Sequence, residues 1–90
     1  MVQIQQLAER IISEQELVIG PLAWREAKKV HGLTYDHGKV SMSGDTKKIL
    51  GDLVHRYEGL FGPASLDVCR EAVKTLVASV PASEVPEMLR

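Results

Sequence analysis

The chain has 90 residues, 44% of them hydrophobic and 26% charged, with a net charge of −1 at neutral pH. This balance excludes extended disorder, which needs fewer apolar residues and a larger charge imbalance. One domain is expected over residues 1–90, and because a chain this short buries only about 60–65% of its unfolded surface, a second copy would help its core.

Residues 2–18 read as an amphipathic helix. Ile4, Leu7, Ala8, Ile11 and Ile12 follow the i, i+3, i+4, i+7, i+8 spacing, with Gln5, Gln6, Glu9, Arg10 and Glu14 opposite. Gly20 breaks the helix and Pro21 restarts one, because proline at the first helical position loses no hydrogen bond. The second helix, 21–31, sets Ala23, Ala27 and Val30 on one side with Trp24 beside them, and Gly32 stops it. Leu33-Thr34-Tyr35 and Val40-Ser41-Met42 alternate in character around Asp36-His37-Gly38-Lys39, which predicts a small β-hairpin with Gly38 at positive φ. Ser43-Gly44-Asp45 is a polar break with good N-cap residues. A third helix is expected at 46–59 on the stripe Ile49, Leu50, Leu53, Val54 and Tyr57, where Gly51 would permit a close helix contact. Gly62-Pro63 repeats the corner. A fourth helix, 63–79, should bury Cys69, Ala72, Val73, Leu76 and Val80, and a short final helix is placed at 84–89.

The fold class expected is therefore mostly α. Four main helices form two Gly-Pro-cornered pairs, with the hairpin between the pairs and a short helix at the end. At an offset of 42 positions Leu7 meets Ile49, Ile11 meets Leu53, Glu16 meets Glu58 and Gly20-Pro21 meets Gly62-Pro63. Two explanations stand side by side. Either residues 4–31 are repeated in 46–73, or two helix pairs each needed a corner.

Charge is distributed unevenly. Residues 25–48 carry six bases against three acids, a net +3, while residues 1–24 and 49–90 each net −2. Cys69 is the only cysteine, so no internal disulfide can form. The start of the chain does not read as a secretory signal, and no apolar run approaches the ~20 residues of a bilayer span. A cytoplasmic location with no membrane association is the default expectation.

Catalytic and metal patterns are missing. His31, His37, His55 and Cys69 lack ligand spacing, and Ser41-Met42-Ser43-Gly44-Asp45 is not a phosphate loop. Cys69 falls on an apolar helix face, the usual place of an inert thiol. The chain is read as non-enzymatic, with no cofactor and no metal. Nucleic acid is the sharper alternative. Two helices and a hairpin with Lys28, Lys29, Lys39, Lys47 and Lys48 suggest a winged-helix-like basic middle, 25–48, set against phosphates. A recognition helix bearing Trp24 and Glu26, and a pI near 6.3, argue against it.

From Ile49 onward an apolar helix with Tyr57 leads into Leu60-Phe61-Gly62-Pro63-Ala64-Ser65. An amphipathic helix with Val68, Arg70 and Ala72 and a final turn over Ser83–Leu89 follow. Residues 49–90 thereby resemble the small helical Gly-Pro module at the C-termini of some bacterial Ser/Thr kinases and multi-domain signalling proteins. The resemblance implies a regulatory or assembly role and supplies no active-site residues. The reading is an interaction module that self-associates as a homodimer, with an unidentified protein partner as the other occupant. Trp24, Leu60, Phe61 and Met88 are the candidate interface residues, and Trp24 is read either as core or as an exposed anchor.

Overall fold

A computed structural model describes residues 2–90. The elements run α1 (Ile4–Ile19), α2 (Leu22–Ala27), β1 (Leu33–Asp36), β2 (Lys39–Met42), α3 (Thr46–Phe61) and α4 (Pro63–Val73), with 3-10 turns at Val77–Ser79, Ala82–Glu84 and Glu87–Leu89. The fold is mostly helical, as expected, and the two-stranded antiparallel hairpin falls where the alternating runs place it.

α1 buries Ile4, Leu7, Ala8, Ile11 and Ile12, the stripe read from spacing, and extends it to Gln15. α3 buries Ile49, Leu50, Gly51, Leu53, Val54 and Tyr57. The Gln3 backbone N–H donates to Gln6 Oε1 at 2.7 Å at the start of α1. The Asp45 carboxylate accepts from the Lys48 backbone N–H at 3.2 Å at the start of α3. Each satisfies an N–H that the helix itself leaves open.

The ends of α1 and α3 are alike. Both helices have 16 residues, beginning at Ile4 and Thr46. Gly20 (φ 69°) and Gly62 (φ 91°) follow them in the left-handed half of backbone space, which glycine enters without steric cost. The Gly20 N–H donates to Glu16 O and the Gly62 N–H to Glu58 O, both at 2.8 Å. The next helices open alike as well: Ala23 N–H donates to Gly20 O and Ser65 N–H to Gly62 O, both at 3.0 Å.

The hairpin pairs Leu33 with Met42 and Tyr35 with Val40. Its turn uses positive φ at both central residues, His37 (48°) and Gly38 (84°), the twist that suits a two-residue connection. Leu33 and Val40 are buried, and Glu9 on α1 accepts the Val40 N–H at 2.8 Å. The hairpin thus lies on the first two helices of its own chain.

Three boundaries differ from expectation by more than two residues. α2 ends at Ala27 rather than at 31. Beyond it, Lys29, Val30 and Leu33 N–H groups bond three residues back, to Glu26, Ala27 and Val30, tightening the chain into the hairpin. α4 ends at Val73 rather than at 79, where β-branched Val73, Thr75 and Val77 are poor helix formers and Leu76 N–H turns back to Val73 O. The final helix is replaced by two 3-10 turns on either side of buried Pro86, which has no N–H to continue a helix.

α1 packs on α4 and α2, and α3 packs on α4 and α2. The core between them is aliphatic, with Tyr57 its largest fully buried side chain.

Candidate functional site

Two buried polar side chains, Gln15 and Tyr57, bond across the core between the halves of the chain. Gln15 Nε2 donates to Ser65 O at 3.0 Å and to Cys69 Sγ at 3.4 Å. The Tyr57 hydroxyl donates to Ala23 O at 2.6 Å. Gln15 and Tyr57 occupy matching positions 42 residues apart, and so do Ala23 and Ser65. Each long helix therefore reaches across to the start of the other half's second helix. The bonds draw the two Gly-Pro corners to one end of the molecule. Burial pushes the Cys69 thiol up, opposed in part by the hydrogen bond from Gln15. Burial, and then the neighbouring Cys69, raises the Tyr57 hydroxyl well above its usual range. A thiol held in its neutral form is a poor nucleophile. Among the described residues no buried side-chain N or O atom lacks a partner.

The unspent surface lies around the corners. Leu17, Val18 and Leu60 are 80%, 64% and 53% exposed, and Leu22 is 40% exposed. Leu17 and Val18, with Val68 and Ala72, line an open groove of about 540 Å³ between α1 and α4. Arg10, Glu14, Asp67 and Glu71 rim it. Fully burying a side chain of this size is worth about 1.5–3 kcal/mol, so a partner that covered Leu17 and Val18 together would gain usefully from them.

On the other side, Trp24 is half-buried and stacks on Tyr35 with centroids 6.3 Å apart and planes inclined by 6°. Lys28 Nζ and Arg25 Cζ stand over its ring at 4.9 and 5.6 Å. Behind it, Glu26 joins Lys29 at 2.9 Å and Arg56 at 2.9 Å, tying α2 to α3. The Lys29 hydrogen bond, with that of Arg56, outweighs the cost of burial and holds the Glu26 carboxyl below its ordinary value.

The candidate residues fall in different places. Leu60 is exposed at the second corner, while Phe61 packs partly into the core beside it. Met88 also packs partly on the core, far along the chain, where Arg70 Nε donates to its carbonyl at 2.8 Å. The five lysines do not form one row. Lys28 lies on Trp24, Lys29 on Glu26, and Lys48 pairs with Asp52 at 2.8 Å. Lys39 lies along a shallow cleft with Gln3, Gln5 and Glu9, and Lys47 shares another with Lys48, Asp45 and His55. Sequence reasoning missed Leu17, Val18 and Leu22. Leu17 lies off the stripe that Ile4, Leu7, Ile11 and Gln15 follow, and a large aliphatic residue off its helix's buried stripe was the available signal.

Among the described residues no three His, Cys, Asp or Glu side chains converge as a metal cage. No helix is long and apolar enough to cross a membrane, again among the described residues. Fold and surface together define a small, mostly helical protein with an apolar groove at one helix pair. Compared with family models, curated proteins and solved structures, the chain finds no match.

Proposed function

We propose that this protein is a non-enzymatic interaction module of the regulatory or assembly type, built from one helix–Gly-Pro–helix unit used twice and self-associating through aliphatic helix faces. The observation that carries this reading is the groove between α1 and α4, where Leu17 and Val18 stand 80% and 64% exposed on a well-packed helix. A leucine held on a rigid helix and left in water is better explained by a partner than by folding. The signalling character follows from the resemblance of residues 49–90 to the bacterial Gly-Pro module. Nucleic acid binding has less support, since the basic side chains point into separate neighbourhoods instead of one phosphate-tracking row.

Leu17→Asp tests the reading. Light scattering at about 100 µM, well above a micromolar Kd, should show wild-type protein larger than a monomer and the variant monomeric. Unchanged circular dichroism would show that the variant folds. A monomeric wild type, or a variant that associates as strongly as wild type, would overturn it.

A further inference from the structure

We infer that self-association is head-to-tail, the acidic α1/α4 groove of one copy receiving the basic α2/α3 face of the next; this rests on the self-association proposed above. The argument comes from comparing two faces of the same molecule. α1 packed on α4 and α3 packed on α2 are equivalent helix pairs at the 42-residue offset, joined by the equivalent bonds Gln15 to Ser65 and Tyr57 to Ala23. Their outward stripes also correspond. Arg10, Glu14 and Val18 on α1 match Asp52, Arg56 and Leu60 on α3. Ala64, Asp67 and Glu71 on α4 match Leu22, Arg25 and Lys29 on α2 and just beyond it.

At all four charged positions the sign is reversed. Arg10 faces Asp52 in this correspondence, Glu14 faces Arg56, Asp67 faces Arg25 and Glu71 faces Lys29. The groove face nets −2 over these positions and the α2/α3 face +2, which becomes +1 once Glu26, paired with both Lys29 and Arg56 at 2.9 Å, is counted. Apolar anchors are kept on both: Leu17 and Val18 on the acidic face, Leu22 and Leu60 on the basic one, all exposed. Lys28 with Arg70 and Glu16 with Glu58 are the matched pairs that keep one sign. Arg70 and Lys74 stand beside Asp67 and Glu71 at 3.7 and 3.9 Å but do not line the groove.

Two like faces of opposite sign have one favourable way to meet. Acidic on acidic would bring together two faces that each carry Glu14, Asp67 and Glu71 against a single Arg10, and basic on basic two faces that each carry an excess of base; like net charges across an interface are repelled. Acidic on basic sets opposite charges around a shared aliphatic centre. Such a contact joins different surfaces of the two copies, so each added copy exposes a fresh acidic or basic face. Assembly therefore continues past the dimer, unless the rotation closes a ring.

The experiment uses two full-length variants that disable one face each. Leu17→Asp removes the acidic face's anchor, and Arg25→Glu combined with Leu60→Asp removes the basic one. All three residues are exposed, and circular dichroism checks the fold. By sedimentation, wild-type mass should rise with concentration beyond a dimer and fall as salt is raised. Each variant alone should be a monomer. Their equimolar mixture should form a 1:1 dimer and stop there, because each retains the face the other lacks. If the basic-face variant instead dimerises like wild type while Leu17→Asp does not, the groove pairs with its own copy; head-to-tail assembly is then overturned and the interaction reading stands. A mixture that stays monomeric overturns head-to-tail assembly too. A wild type that is monomeric throughout overturns both.

Discussion

Glu26 shows how one buried acid organises a face. It accepts from Lys29 Nζ at 2.9 Å and from Arg56 Nε at 3.0 Å, so a single carboxylate links α2 to α3. Those hydrogen bonds hold its pKa below the ordinary value of 4.5. The folded state then binds this proton less readily than the unfolded state, so stability rises with pH through this window. The contribution is fully present above pH 4.5 and is lost as pH falls through the folded value. Glu26→Gln should therefore lower the melting temperature at pH 7, and the difference from wild type should shrink steadily below pH 4.5. Thermal melts across that range check it, and a gap that stayed constant into acid would show that the carboxylate charge contributes nothing. The pairing was not legible in the sequence, because Glu26 and Arg56 are 30 positions apart. Glu26 was instead read only as an acid that weakened a nucleic-acid helix. Leu17 was legible in principle, as an aliphatic residue off its stripe, whereas its groove needed α4 in place.

At the scale of elements, periodicity placed α1, α3 and the hairpin because their apolar residues repeat on one face and their ends carry glycine, proline or a capping acid. It failed where the chain leaves the α-helix gradually. Nothing in Val30 or Leu76 alone announces that the next hydrogen bond will close three residues back rather than four. Gly51 was expected to admit a neighbouring helix. It meets the ring of Pro86 instead, and an added Cβ would lie 3.9 Å from the nearest atom, ordinary van der Waals distance. Its backbone is regular helix, so glycine is used here without need. Gly51→Ala should stabilise the protein by about 1 kcal/mol, the propensity difference between the two residues. Gly32 is the contrast: φ is 87° and an added Cβ would stand 2.7 Å from the Ser43 carbonyl oxygen. Denaturant melts of Gly51→Ala settle the first point, and a loss of stability would mean that Pro86 cannot accept the methyl group.

For the whole molecule, the question is whether the two helix pairs can stand alone. Ile11, Ile12, Leu53 and Val54 are all fully buried, and they belong to one core cluster that spans both halves. α1 packs on α4 as well as on its own neighbour α2, and Tyr57 donates back into α2. Neither pair therefore closes a core by itself, and a cavity in one should be felt in the other. Ile11→Ala should cost about 2–5 kcal/mol, the usual range for emptying a buried site of this size. Hydrogen exchange on the folded protein tests how that loss is shared. If the molecule opens as one unit, the slowest amides of α3 and α4 should lose as much protection as those of α1. Retained protection in α3 and α4 would make each helix–Gly-Pro–helix half a separate folding unit, despite the core cluster and the Gln15, Tyr57 and Glu26 bonds that the halves share.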